Sequence, residues 1–229
     1  METKDIDFSK LSPMMKQYFE VKNKYKNHIL FYRLGDFYEM FFDDAIIASR
    51  ELELTLTGRD CGLEERAPMC GVPHHACDVY LKKLIEKGYN VAICEQTMDP
   101  AMCKGIVPRE VIRVVTPGTL IESSMLDETS NNYICAFYMR AKESALCLAD
   151  ISTGEVHLFE FEGKEMTSSA INELSRFSPA EILINDSFLS NKELSSFIRE
   201  KLKTSVQLLE ETDFSPEIHT EEVLKQFST

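Results

Sequence analysis

The chain has 229 residues, of which 44% are hydrophobic and 28% are charged, and its formal net charge is −13. This length suits one large or two modest domains, and the apolar content is too high for a disordered chain. No apolar run reaches the eighteen or so residues that a membrane-spanning helix needs. Seven scattered cysteines without a CxxC pair favour a reducing, cytosolic setting.

The negative charge is concentrated in the second half of the chain. Residues 1–115 contain 16 Lys and Arg against 18 Asp and Glu, whereas residues 116–229 contain 9 against 20. A surface that follows a nucleic-acid backbone needs clustered cations. The composition therefore argues against nucleic-acid binding by the second half of the chain but not by the first half.

The first half predicts a mixed α/β domain. Ser12 before Pro13 is typical of a helix N-cap followed by the first helical position, and Asp43 or Asp44 is the predicted cap of the next helix. Gly35 with the following Asp is a turn signal between two strands. The predicted elements are a helix over 12–25, strands over 28–34 and 37–42, a helix over 43–52, a connecting loop over 58–73, a helix over 76–87 that ends at Gly88, and strands over 89–96 and 109–116.

A linker is predicted over 116–132, where Pro-Gly and paired asparagines interrupt the pattern, so that the domains are 1–115 and 133–229. The second half predicts a meander of three strands, then a helix, a strand, a helix and a strand: 133–140, 145–152, 155–162, 165–177, 181–186, 191–203 and 205–211. This is the order of elements in ribonuclease-H-like domains. No terminating element follows, so we expect that the second domain is cut at its C-terminus.

The segment GDFYEMF places a carboxylate among aromatic residues. Side chains alternate along an extended segment, so Phe37, Glu39 and Phe41 share one face while Tyr38, Met40 and Phe42 point to the core. Phe37 and Glu39 are then about 7 Å apart and point away from the core together. From the residues alone, an exposed Phe beside a solvated Glu competes with a ring that stacks on a nucleic-acid base while the carboxylate accepts a base hydrogen bond. Phe41 is expected to pack against a neighbouring loop.

Several ordered segments resemble one family. FYRLGDFYEMFFDDA, which begins at residue 31, is similar to the mismatch-recognition domain of the bacterial DNA mismatch-repair MutS family, with its Phe-x-Glu motif. SPMMKQYFEVK, ASRELELTLTGR, APMCGVPHHA, VAICEQ and REVIRVVTPGT also occur in order at family-like spacing, so the resemblance covers most of residues 8–120. ADISTGEV in the second half resembles the connector domain of the family.

The resemblance implies roles for two residues. The wedge phenylalanine of the family falls on Phe37, which would enter the minor groove and stack on a mispaired or unpaired base, and the glutamate falls on Glu39, which would hydrogen-bond that base. Since a mismatch lowers the cost of unstacking and kinking DNA, a protein that bends the duplex can detect it. Further candidate DNA contacts are Met69 in the groove and, on phosphates, Lys10, Lys16, Arg59, Lys104 and Arg109. The sequence departs from the family pattern at His74 and Met98, which leaves the finer contacts open.

Three other functions compete with this one. The cluster Cys61, Cys70, His74, His75 and Cys77 contains zinc-ligand types, but no CxxC knuckle holds it together. A ribonuclease-H-like nuclease would use Asp150 and Asp186 for paired Mg²⁺ ions, yet the first strand of that half carries no acid, so Asp150 is expected to cap the following Ser-Thr-Gly turn. A protein-interaction module without nucleic-acid contact is the third alternative.

The resemblance also implies what the rest of a longer protein would supply. The sequence has no GxxxxGK[ST] motif, so no P-loop, and we expect no catalytic activity and no cofactor in this chain. Family members carry an ABC-type ATPase that uses ATP and Mg²⁺, act as homodimers and contact MutL through the connector domain. The expected partner of this chain is mismatched double-stranded DNA in the cytoplasm, at the nucleoid and not at a membrane.

Overall fold

A computed structural model describes residues 7–99, 102–103, 105–127 and 129–227. The chain divides into two compact units, Met1–Thr116 and Pro117–Thr229. No helix in these described ranges is long and apolar enough to cross a membrane.

The first unit is a mixed sheet with helices, as its sequence predicts. Its elements are α1 (Pro13–Lys22), β1 (Ile29–Leu34), β2 (Phe37–Phe41), α2 (Phe42–Leu52), β3 (Thr57–Arg59), β4 (Ala67–Pro73), α3 (Cys77–Glu86), β5 (Val91–Gln96) and β6 (Arg109–Val115). The strand order is β3-β4-β2-β1-β5-β6. Strands β1 and β5 are parallel and the other neighbouring pairs are antiparallel. The sheet therefore places the hairpin β1–β2 at its centre.

Helix α1 begins as the sequence predicts. The Ser12 side chain accepts a hydrogen bond from the Met15 backbone N–H, and Pro13 occupies the first helical position. The helix buries Met15, Tyr18 and Phe19 in a cluster to which β1, β2 and α2 also contribute. This aromatic cluster closes one end of the central hairpin.

Two local predictions for the first unit are wrong. Residues 58–73 are not a connecting loop, because β3 and β4 pair in an antiparallel hairpin and β4 joins β2. Helix α2 has no side-chain cap from Asp43 or Asp44. Asp44 is instead buried, where its carboxylate bonds Lys22 and the backbone N–H of Leu30.

The second unit has the predicted ribonuclease-H-like order. Its elements are β7 (Tyr133–Met139), β8 (Glu143–Asp150), β9 (Glu155–Glu162), α4 (Met166–Phe177), β10 (Glu181–Ile184), α5 (Asp186–Leu189), α6 (Lys192–Lys201), β11 (Ser205–Leu208) and α7 (Pro216–Phe227). The strand order is β11-β10-β7-β8-β9, with β10 parallel to both of its neighbours and β8 antiparallel to both of its own. Helices α5 and α7 add to the predicted elements.

The core of the second unit lies on one face of its sheet. Alternate residues of β7 and β8 are buried, which is the two-residue period of a strand. They pack with residues of α4, α5 and α6. The stretch that follows residue 116 also belongs to this unit, because the Gly118 N–H donates to Glu181 Oε2 at 3.0 Å and Asn132 Nδ2 donates to the Pro117 carbonyl at 3.0 Å.

Candidate functional site

Phe37 lies at the end of the central hairpin of the first unit. Leu34 and Phe37 are paired across a two-residue turn in which Gly35 adopts a φ of +57°, a conformation that glycine adopts at little cost. On its other side Phe37 is in register with Pro73 of β4. The Phe37 side chain is 47% exposed. The predicted turn is thus confirmed, and it presents an aromatic ring to solvent.

Side chains from three elements hold this turn. Arg33 Nε donates to the Gly35 carbonyl at 2.5 Å, and its Nη1 lies 3.3 Å from Glu95 Oε1. The Tyr38 hydroxyl also donates to Glu95, and burial together with this carboxylate raises the pKa of Tyr38. The His74 backbone N–H donates to the Asp36 carbonyl at 2.9 Å. These hydrogen bonds hold the turn that carries the exposed Phe37 ring.

Glu39 lies two residues farther along β2. It is not the solvated glutamate that was one of the two alternatives from the residues alone. Its side chain is 15% exposed, and its Oε2 accepts a hydrogen bond from Nη1 of Arg59, whose side chain is 37% exposed. Glu39 is in register with Gly71 of β4. A Cβ atom at Gly71 would lie 3.5 Å from Glu39 Cγ, so the carboxylate side chain lies beside the glycine backbone.

Phe41 does not belong to the exposed face, because it packs in the aromatic cluster, to which Cys61 of the loop between β3 and β4 also contributes. It is fully buried, and its ring centroid lies 5.1 Å from that of Tyr18 in an edge-to-face contact. The two-residue period holds for Tyr38 and Met40, which are buried as predicted. The face changes from exposed to buried along β2 because α1 covers only the end that carries Phe41.

The remaining candidate contacts occupy different environments. Met69 is half-buried, lies opposite Phe41 on β4 and packs against the aromatic cluster. Lys10 and Lys16 are exposed; Lys10 Nζ lies 3.8 Å from Asp7, and Lys16 Nζ donates to the Ser9 carbonyl at 3.1 Å. Lys104 is outside the described residues.

Arg109 is buried, with 9% of its surface exposed. Its guanidinium donates to the Arg33 carbonyl at 2.7 Å, to Gln17 Oε1 at 3.0 Å and to the Val107 carbonyl at 2.9 Å, and it lies 5.0 Å from the Tyr32 ring centroid. These bonds occupy the guanidinium inside the first unit. The placement argues against the predicted contact with a phosphate.

The competing metal sites receive no support from the geometry. Among the described residues, no group of three or more His, Cys, Asp or Glu side chains is placed to hold a metal ion. Asp150 is in register with Tyr133 at the start of β7, whereas Asp186 follows Ile184, which is in register with Phe137 near the other end. At about 3.3 Å per residue the two carboxylates lie roughly 15–20 Å apart along the sheet, too far to share a pair of metal ions.

Asp150 instead caps the turn that follows β8, as predicted. Its Oδ1 accepts hydrogen bonds from the Ser152 N–H at 2.9 Å, the Ser152 hydroxyl at 2.6 Å and the Thr153 N–H at 3.3 Å. Its Oδ2 accepts one from the Asn132 N–H at 3.1 Å. Burial alone would raise the pKa of Asp150, but these hydrogen bonds lower it below the ordinary value.

Sequence reasoning missed the contact between Arg59 and Glu39. The two residues are 20 positions apart, and the segment that carries Arg59 was predicted as a loop. A strand pattern at 57–59 would have placed Arg59 on the sheet, but three residues are too few to show a period. Only the pairing β3-β4-β2 brings the two side chains together.

Comparison with known proteins agrees with this architecture. Models of MutS domain I and MutS domain II match residues 12–124 and 132–229. Proteins named DNA mismatch repair protein MutS are 52% identical over 204 residues in Ruminiclostridium cellulolyticum and 49% identical over 217 residues in Acetivibrio thermocellus. These alignments cover 89% and 95% of this chain but 23% and 25% of the relatives. A third, from Clostridium perfringens, is 56% identical over 180 residues, 78% of this chain and 20% of that protein. The chain spans about a quarter of the length of such relatives, and it belongs to the MutS family, of which it contains domains I and II.

Proposed function

We propose that the first unit recognises mismatched DNA within a larger mismatch-repair protein. In this proposal Phe37 enters the minor groove and stacks on the mispaired base, while Glu39 hydrogen-bonds that base. The observation that carries the proposal is the exposure of Phe37. Of the aromatic residues between positions 31 and 42, Phe37 is 47% exposed, and the others are buried: Phe31, Tyr32, Tyr38, Phe41 and Phe42.

The physics of the duplex explains how such a ring can select a mismatch. Insertion between base steps requires unstacking, which costs a few kcal/mol per step and is compensated by new contacts with the bent DNA. A mispaired base has already lost part of its pairing and stacking, so the cost is lower at a mismatch. Stacking on an aromatic ring returns roughly 1–3 kcal/mol per base. The hairpin turn, held by Arg33 and His74, keeps the ring in place for this insertion.

The cations near the N-terminus supply the sequence-independent part of the proposed interface. Lys10 and Lys16 are exposed and each is a candidate phosphate contact. Met69 lies on the face that carries Glu39, and its exposed part would line the groove. Arg109 is not part of the proposed interface, because it is buried and its Nε and Nη1 donate hydrogen bonds inside the unit.

The test compares affinities of the complete protein for a mismatched and a matched duplex. Phe37→Ala should reduce the preference for the mismatch by about tenfold or more, since roughly 1–3 kcal/mol of stacking is lost. Phe8→Ala is the matched control, because Phe8 is equally exposed at 47% and lies outside the hairpin. An unchanged preference in Phe37→Ala would contradict the proposal.

The whole protein's further properties rest on its relatives and are also proposals. We infer that it couples recognition to hydrolysis of ATP with Mg²⁺, acts as a homodimer at the nucleoid and contacts MutL through the second unit. The acidity of residues 116–229 supports a protein-facing role for that half, since it disfavours contact with DNA. Titration of MutL with this 229-residue chain tests the last inference, and the absence of saturable binding would count against it.

A further inference from the structure

The ion pair between Arg59 and Glu39 differs from an ordinary surface salt bridge. The Glu39 side chain is 15% exposed and that of Arg59 is 37% exposed, so the carboxylate is largely shielded from water while the guanidinium side chain is partly exposed. Exposed pairs contribute little because solvent screens them and the two side chains stay mobile. A half-buried guanidinium–carboxylate contact is stronger and holds its partners in one geometry.

The strand arrangement gives the pair its fixed position. Arg59 ends β3, which pairs with β4, and β4 pairs with β2, which carries Glu39. Glu39 is in register with Gly71 of β4 and Arg59 with Ala67 of the same strand, so that the two side chains meet across β4. A Cβ atom at Gly71 would lie 3.3 Å from the Tyr38 carbonyl and 3.5 Å from Glu39 Cγ, so a side chain at this position would contact the stem of the Glu39 side chain.

The contact divides the two oxygens of Glu39 between two tasks. Oε2 accepts the hydrogen bond from Arg59 Nη1, which leaves Oε1 to accept a bond from a base. Since the side chain is already held, little rotamer freedom is lost when that second bond forms.

We propose that Arg59 is a positioning residue that determines mismatch preference through Glu39 and does not contact a phosphate. This inference rests on the proposed role of Glu39 in base recognition. It replaces the role that the sequence alone suggested for Arg59. Loss of a phosphate contact would weaken binding to matched and mismatched duplexes equally. Loss of a residue that acts through Glu39 should change neither affinity once Glu39 itself has been removed.

The experiment is a double-mutant cycle in the complete protein, with affinities for a mismatched and a matched duplex measured at several salt concentrations. Arg59→Ala should reduce the mismatch preference by roughly tenfold or more, the scale of one hydrogen bond to a charged group. In the Glu39→Ala background, Arg59→Ala should change neither affinity by more than about twofold. Arg59→Lys should retain part of the preference, because it restores the charge without the planar donor.

The salt dependence separates the two roles of the cation. Arg59→Ala should leave the slope of log affinity against log salt concentration unchanged, whereas loss of a phosphate contact would reduce it by about 1. Arg66→Ala is the matched control, since Arg66 is an exposed cation at the same end of the β3–β4 hairpin, directly before Ala67, which is in register with Arg59. It should leave the mismatch preference intact. Thermal unfolding of each variant shows that the protein remains folded.

Two results would overturn the inference: a full effect of Arg59→Ala in the Glu39→Ala background, or a slope reduced by about 1. The Phe37→Ala variant, measured in the same experiment, distinguishes failure of this inference from failure of the proposed function. If Phe37→Ala removes mismatch preference while Arg59→Ala acts independently of Glu39, only the role of Arg59 is wrong. If neither Phe37→Ala nor Glu39→Ala alters the preference, the proposed recognition site itself is wrong.

Discussion

Lys22 on α1 and Asp44 on α2 form an ion pair, with Nζ 2.8 Å from Oδ1, whose side chains are 18% and 6% exposed. The other Asp44 oxygen accepts hydrogen bonds from the Leu30 N–H at 3.0 Å and the Tyr18 hydroxyl at 3.3 Å. One carboxylate therefore joins two helices to β1, the first strand of the central hairpin. Burial raises the pKa of Asp44, while Lys22 and the hydrogen bonds act in the opposite direction.

Removal of this carboxylate should destabilise the first unit. Asp44→Ala leaves the Lys22 ammonium without its buried partner, and a broken buried pair costs about 3–5 kcal/mol of unfolding free energy. The neighbouring Asp43 is exposed, so Asp43→Ala should cost less than about 1 kcal/mol. Denaturant unfolding followed by circular dichroism measures both, and equal losses would contradict the structural role of Asp44.

Phe37 and Phe41 should respond differently to the same truncation. Phe41→Ala removes a fully buried ring that contacts Tyr18, and a loss of about 3–5 kcal/mol in unfolding free energy is expected. Phe37→Ala removes an exposed ring and should change stability by less than about 0.5 kcal/mol. Thermal unfolding of the two variants checks the contrast. A large loss in Phe37→Ala would mean that this ring is structural.

Gly118 should not tolerate a side chain. An added Cβ would lie 2.8 Å from the Ile134 Cβ and 2.9 Å from the Glu181 Cβ, both attached to strand backbone that cannot move aside cheaply. Gly118→Ala should therefore destabilise the second unit by about 1–3 kcal/mol, the usual cost of overpacking. Gly71→Ala is the comparison, because its nearest neighbour would be 3.3 Å away. The melting temperatures of the two variants test the difference, and a harmless Gly118→Ala would contradict this packing.

Asp150 should make stability depend on pH in the acid range. Its pKa is lower in the folded protein than the ordinary value of 3.8, so its contribution is present above that value and is lost as pH falls through the folded pKa. Asp150→Asn should cost about 1–2 kcal/mol at neutral pH, since it exchanges charge-assisted hydrogen bonds for neutral ones. Denaturant unfolding between pH 7 and strong acid should show that the unfolding free energies of the two proteins converge as the pH falls. A difference in unfolding free energy that stays constant down to strong acid would contradict this role of the Asp150 carboxylate.

How far the sequence predicts the structure depends on the range of the interactions involved. The start of α1 and the turn at Gly35 follow from neighbouring residues, and both predictions are confirmed. The strand-forming residues 57–59 and 67–73 were missed because glycine and charged residues obscure the alternation there. Such strands are stabilised by pairing with β2, which is distant in sequence.

The sequence by itself determined the family, most of the order of elements and the side of β2 on which Phe37 and Glu39 lie. These features depend on residue identity and on the two-residue period of a strand, which are local. Tertiary structure decided which members of that face remain exposed. Helix α1 covers Phe41 and leaves Phe37 uncovered, and the β3–β4 hairpin brings Arg59 to Glu39. Likewise, residue type alone predicts that Arg109 is a surface cation, whereas hydrogen bonds to distant residues hold it in a buried position. Contacts between distant segments set burial and ion pairing, and no local pattern encodes them.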